Sequence, residues 1–209
     1  MSIPAFYIFL CAAFLGSLFV YNKLEPWFFK MCVPYLLMNL IAETYGLIIK
    51  SRGLKNYWIY NISTTLEFGF YFFIFFKILK EVALKKYIKI TSLIFFPLCF
   101  INILFVQGIN HFHSNTFLIG SIILISLCFF YFREQLRSEE IINPLKQKMF
   151  WISIGVMFFY LGGFFELGLF EFIHFKNPLI EKKFSTLLNV LNCFLYSMYL
   201  IAFSTVNAK

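Results

Sequence analysis

The sequence predicts an all-α polytopic membrane protein, a single seven-helix transmembrane bundle occupying residues 1–209. Three observations carry that prediction. The chain is 61% hydrophobic, 22% aromatic and only 13% charged, with a mean hydropathy of +0.80. Soluble domains carry about 25% charged and about 45–50% apolar residues, and one compact core of this size could not hide so much apolar surface. The apolar residues also fall in seven long runs, with the basic residues gathered between them. This composition excludes a soluble globular domain, a disordered chain and a nucleic-acid binder.

A spanning helix needs about 20 mostly apolar residues. The first run, 4–21, follows Met1-Ser2-Ile3-Pro4, which lacks the basic stretch of a cleavable leader, so it reads as a retained span. The second, 28–49, begins after Trp27 and stops before Lys50 and Arg52. The third, 57–79, opens at Trp58, and the fourth, 88–108, follows the loop that carries Lys80, Lys85 and Lys86. The fifth, 115–132, is with the first the shortest expected span. The sixth, 149–172, opens near Trp151, and the seventh covers 184–205. All three tryptophans therefore stand at span boundaries, where interfacial aromatics belong. The longest expected connection, 133–148, has mixed charge and is suited to docking a partner.

Orientation follows from the basic residues. With seven spans, one side holds Lys50, Arg52, Lys55, Lys176, Lys182 and Lys183, and the other holds the remaining twelve of the eighteen Lys and Arg. The positive-inside rule makes the richer side cytoplasmic, with the N-terminus outside and the C-terminus inside. The expected location is a cell membrane, read as a bacterial inner membrane. The loop lysines Lys77, Lys80, Lys85, Lys86 and Lys89 would meet anionic headgroups there. The lipid bilayer is thus the first expected partner.

All ten acidic residues are Glu, so chemistry that needs Asp is absent. Three of them, Glu43, Glu67 and Glu166, fall inside spans with no Lys or Arg at their depth. An intramembrane ionisable residue is expensive and by default marks a functional site. Such a carboxyl can hold a proton, accept hydrogen bonds, sit in a hydrated cavity or face a cationic ligand. Protonation at pH 7 from a reference pKa of about 4.3 costs roughly 3.7 kcal/mol. That is modest beside a bare charge in hydrocarbon.

At about 1.5 Å rise per residue, Glu43 and Glu166 are expected roughly 10 Å below the outer boundary and Glu67 about 14 Å below it. Asn102, Asn189 and Asn192 fall in the same layer. Asn189, Asn192 and Tyr196 share one helix face, as do Tyr60, Thr64, Glu67 and Tyr71. Gly162 and Gly163 permit close approach or a bend one turn before Glu166. The expected ligand-binding set is therefore Glu43, Glu67, Asn102, Glu166, Asn189, Asn192 and Tyr196, lining an outward pocket above a dry inner plug. The competing expectation is that the same polar groups only glue the helices together.

His111 and His113, with Glu171 and His174, contain enough ligands for a borderline metal. The simpler expectation is that these histidines are solvated interface residues, and no metal or other cofactor is expected. The five cysteines lie within apolar runs, as small buried hydrophobes do.

Familiar seven-helix families fail on particular residues. A retinal protein needs a lysine in its last helix, and Phe184 to Ala208 contains none. Seven-helix zinc hydrolases need intramembrane His and Asp, and triple-helix-repeat sugar transporters need matched prolines that Pro34 and Pro97 do not supply. The stretches Lys55-Asn56-Tyr57-Trp58, Leu66-Glu67-Phe68 and Phe150-Trp151, with Tyr160, Gly163, Asn189 and Asn192, resemble uncharacterised bacterial seven-helix membrane proteins. That resemblance implies the topology and no activity.

The functional expectation is a ligand-binding or sensory module acting through a separate cytoplasmic or membrane partner protein. A pocket of carboxyls without basic residues favours a small neutral or cationic ligand. The alternatives are a small proton-coupled secondary transporter of a neutral or cationic solute and a structural or assembly subunit of a membrane complex. No nucleophile–base pair is evident within the spans, so an enzyme is not expected.

Overall fold

The computed structural model describes residues 4–138, 143–168 and 178–206. Its seven α-helices are α1 (Ala5–Phe19), α2 (Cys32–Ser51), α3 (Tyr57–Ile78), α4 (Val82–Ile101), α5 (Ser114–Arg137), α6 (Lys148–Gly163) and α7 (Pro178–Ser204). A 3-10 turn, Trp27–Met31, leads into α2, while π-helical turns, Asn102–Val106 and Phe164–Gly168, continue α4 and α6. Six of these helical stretches are long and apolar enough to cross a membrane. The exception is α1, whose 15 residues span about 22 Å against roughly 30 Å of hydrocarbon.

Several expected boundaries are corrected. The fifth helix is not the shortest: it has 24 residues and continues to Arg137. The Phe132–Arg137 stretch carries polar side chains that hydrogen-bond to neighbouring segments: Arg133 to Glu81, Glu134 to the backbone of Lys80 and Glu81, and Gln135 to Gln147. The fourth helix begins at Val82, so Lys85, Lys86 and Lys89 lie on its first turns rather than in a loop. Its start is set by the Glu134 carboxylate, which accepts from the backbone N–H groups of Lys80 (3.0 Å) and Glu81 (2.9 Å). An ion pair from Arg133 to Glu81 joins the same two helices. The expected sixth span ran to residue 172, of which 169–172 lie outside the described residues.

Neighbouring helices close a ring in the order α1, α2, α3, α5, α6, α7 and back to α1. Helix α4 packs outside that ring against α3 and α5. Only 22% of its most apolar window is buried, against 50% in α5 and α6. The tightest approach joins α6 to α7. A Cβ on Gly155 would stand 2.9 Å from Met198 Cβ, and one on Gly162 would collide with the Leu191 side chain. Small residues at such crossings let membrane helices approach where water supplies no hydrophobic drive.

Phenylalanines fill the interior. Phe68 is fully buried and meets Phe95 (5.1 Å between ring centroids), Phe117 (6.1 Å) and Tyr160 (5.4 Å), so one α3 residue ties α4, α5 and α6 together. Phe68 also leans over Gly120, where no larger residue fits. On the other side, Tyr7 donates to Thr44 Oγ1 (2.8 Å), whose own hydroxyl donates to Leu40 O, fastening α1 to α2.

Candidate functional site: a carboxyl–tyrosine network

On α2, Tyr35 and Glu43 share a face, and on α3 the same holds for Tyr60, Glu67 and Tyr71. The packing of α2 on α3 brings these faces together. Tyr35 donates to Glu67 Oε1 at 2.9 Å, and Tyr60 donates to Glu43 Oε2 at 3.2 Å. The two carboxyls are close enough to interact electrostatically. Tyr196 of α7 is buried within electrostatic range of both. Tyr160 of α6 approaches Glu67 closely enough to interact with it, although its fully buried hydroxyl lacks a well-formed hydrogen bond among the described residues.

Proton bookkeeping gives the network a direction. A phenol has one proton to donate, and Tyr35 gives its proton to Glu67. The 2.8 Å bond between Tyr35 and Tyr71 must then be donated by Tyr71. Tyr199 donates to Tyr71 at 3.3 Å. The chain thus runs Tyr199 to Tyr71 to Tyr35 to Glu67, from α7 through α3 and α2. Stacking of Tyr35 on Phe70, with ring centroids 4.0 Å apart, fixes the central phenol. Gly46 makes room for Tyr60: a Cβ there would stand 2.6 Å from the Tyr60 hydroxyl.

The network reaches further along the bundle than the glutamate layer alone. From Tyr60 to Tyr71, α3 rises about 16 Å. Tyr35, Tyr71 and Tyr199 therefore carry hydrogen-bonded hydroxyls beyond the two glutamates. Sequence reasoning had Tyr71 on the correct face but passed over Tyr35 and Tyr199. Their signal was the placement of tyrosines, rather than phenylalanines, at buried positions of a phenylalanine-rich chain.

The other expected site residues lie elsewhere. Asn102 belongs to a second cluster at the α4–α5 turn, donating to Gln107 Oε1 (2.7 Å) and, at 3.4 Å, to Thr116 Oγ1. Glu166 sits on the π-turn after α6, which packs on α5. It is buried, and its Oε2 has no hydrogen-bond partner among the described residues. Asn192 donates back to Leu188 O on its own helix at 3.0 Å. Asn189, half-buried on α7, does have an interaction partner.

The histidines depart from the solvated expectation. His111 is exposed, but His113 is fully buried, because Asn61 of α3 clasps the turn. Asn61 Nδ2 donates to His111 O (2.8 Å), and Asn61 Oδ1 accepts from His113 N (3.1 Å). Thr116 donates to His113 O, so the 2.7 Å bond between Thr116 Oγ1 and His113 Nδ1 is donated by the ring. Nε2 then carries a buried lone pair with no partner among the described residues. Burial pushes this imidazole down to about 4, keeping it neutral at pH 7. His174 and Glu171 lie outside the described residues, and no group of three metal ligands occurs among those described.

By length and composition, the six long apolar helices mark a multi-pass helical membrane protein, and its bundle encloses a polar network. No protein-family model matches the chain, and neither a curated protein nor a solved structure does. The resemblance drawn from the sequence therefore extends to the seven-helix architecture and no further.

Proposed function

We propose that this protein is an integral membrane ligand-binding or sensory module whose recognition site is the Glu43–Glu67 pair. The observation that carries this reading is the meeting of two carboxyls from adjacent helices with phenols as their donors. A carboxylate can accept about four hydrogen bonds. Among the described residues, no Lys or Arg forms an ion pair with either glutamate. A small neutral or cationic ligand with N–H or O–H donors complements such a site.

The chain lies in a bacterial inner membrane with its N-terminus outside and its C-terminus in the cytoplasm, as its basic residues favour. A shift of α3 on ligand binding passes to the cytoplasmic side through the α3–α4 turn, which Glu134 and Arg133 tie to α5. A partner protein reads that movement at the α3–α4 and α5–α6 connections. Coupling of this kind needs only a two-state helix shift with different ligand affinity in each state.

The test is thermal unfolding in lipid nanodiscs against a panel of primary amines, quaternary ammonium ions, polyols and carboxylic acids. A rise in Tm with a cation or polyol that disappears in Glu43→Gln and Glu67→Gln supports the reading. A carboxylate that stabilises the protein, or a cation response that survives both substitutions, overturns it.

The directed hydroxyl chain favours a second reading, a proton-coupled transporter. Protons pass along hydrogen-bonded hydroxyls, and Tyr199, Tyr71 and Tyr35 lead to Glu67. Proteoliposome acidification that depends on solute and is lost in Tyr71→Phe distinguishes transport from sensing.

A further inference from the structure

Helices α3 and α4 leave a groove of about 550 Å³ between them, open to the hydrocarbon. Its α3 wall is Gly69, Phe72, Phe73 and Phe76, at helical spacing, and Phe96 and Leu93 face it from α4. Gly69 lines the groove without a side chain, and a Cβ there would reach only ordinary van der Waals contact with Phe96 at 3.5 Å. At one end, three ammonium groups converge on a single ring. Lys77, Lys85 and Lys89 Nζ stand 6.0, 5.9 and 5.4 Å from the Phe76 centroid. Lys77 also lies over Trp27 at 5.5 Å, and Trp27 in turn packs on Phe73 at 6.1 Å.

The two carboxylates of the α3–α4 turn and the α5 end beside it are already committed among the described residues. Glu81 pairs with Arg133, and Glu134 accepts from the backbone of the α3–α4 turn. Among the described residues, no acidic group forms an ion pair with Lys77, Lys85 or Lys89. Three like charges at one end of an apolar trough complement a molecule with an anionic head and a hydrocarbon tail. The Phe76 and Trp27 rings hold the ammonium groups at the interface, where phosphate oxygens lie. The ion pair and the Glu134 cap keep the turn rigid, so the charges are presented in place.

We propose that this groove is a binding site for an anionic glycerophospholipid, with one acyl chain between α3 and α4 and the phosphate among Lys77, Lys85 and Lys89. The site is independent of the Glu43–Glu67 pair, which lies on the opposite side of α3, toward α2. A lysine near an anionic lipid surface contributes about a fivefold preference, so the three together give roughly a hundredfold preference over a zwitterionic lipid.

Trp27 is the reporter. The full chain carrying Trp58→Phe and Trp151→Phe, in phosphatidylcholine bilayers, is titrated with brominated phosphatidylglycerol or brominated phosphatidylcholine, and quenching is recorded. The expected result is half-maximal quenching at far lower mole fraction for the glycerol lipid. The Lys77→Gln/Lys85→Gln/Lys89→Gln variant equalises the two lipids. Gly69→Leu fills the trough and weakens quenching by both, while Gly69→Ala, which the 3.5 Å clearance admits, preserves the preference. Lys86→Gln, on the same membrane side but outside the groove, leaves the preference intact. Equal quenching by both lipids in the parent overturns the site. So does a loss in Lys86→Gln as large as that in Lys89→Gln, or displacement of the brominated lipid by millimolar inorganic phosphate.

Discussion

The two polar clusters in this bundle are built from different chemistry. At the α4–α5 turn, Asn61, Asn102, Gln107 and Thr116 use amides and hydroxyls, and Asn61 pairs with backbone groups on both sides of the turn. Each amide offers donors and an acceptor, so this cluster largely satisfies itself. Between α2, α3, α6 and α7, two carboxyls meet phenols that have one proton each. Acceptors there outnumber donors. The first arrangement fixes a turn, whereas the second has spare capacity for hydrogen bonds and for protons. Both lie inside the helical bundle, yet donor and acceptor balance separates a structural clasp from the proposed recognition site.

That contrast predicts which substitutions cost stability and which cost binding. The largest stability loss is expected from Asn61→Ala, which strands the buried His113 N–H and releases the half-exposed His111 carbonyl. The buried N–H costs about 1–3 kcal/mol and the carbonyl adds about 1 kcal/mol, for a total of about 2–4 kcal/mol. It should appear as a large fall in Tm with the ligand response of the surviving fold retained. A loss of response at unchanged Tm would erase the distinction between the clusters.

Acid should act on the clasp with a comparable effect. The His113 imidazole is held down to about 4 by burial, against roughly 6.5 in the unfolded chain. Between those values the unfolded state binds the extra proton, so stability rises with pH. The contribution is intact above about pH 6.5 and declines by roughly 3 kcal/mol as pH falls through to about 4. Tm measured against pH should drop across this window, and His113→Asn should flatten that part of the profile.

Gly46→Ala tests the support of the network. The added methyl meets the Tyr60 hydroxyl at 2.6 Å, so the ring must move and release Glu43. A cost of about 1–3 kcal/mol is typical of overpacking, and ligand affinity should fall with it. Unchanged affinity would show that Tyr60 does not position Glu43.

The smallest stability effect belongs to Glu67→Gln. The amide oxygen still accepts from Tyr35, so Tm should move by no more than the equivalent of about 1 kcal/mol. Recognition of a cation should nonetheless be lost. A fall in Tm as large as that of Asn61→Ala would make Glu67 a packing residue.

Orientation has its own check. A fluorescent-protein fusion at the C-terminus should be bright and an alkaline phosphatase fusion inactive if that end is cytoplasmic.

Much of the bundle is legible from hydropathy, because a bilayer demands long apolar runs whatever their neighbours. The runs at 57–79 and 28–49 match α3 and α2 within a few residues at each end. Boundaries failed where polar side chains belong to a helix that leaves the hydrocarbon, as at Lys85 and Arg137. Hydropathy registers the solvent around a residue, whereas helix formation depends on backbone hydrogen bonds and on caps such as Glu134.

Within the site, helical spacing was enough to put Tyr60, Glu67 and Tyr71 on one face, because periodicity is a property of a single helix. The pairing of Glu67 with Glu43, the capture of Asn102 by the α4–α5 turn and the burial of His113 depend on which helices are neighbours. The ring order, with α4 outside it, decides that. Composition thus commits this chain to the membrane and sets which residues share a helix face. Tertiary packing alone selects which faces meet, because in a lipid solvent apolar contact barely discriminates between partners and close approach at Gly155 and Gly162 and polar pairing do.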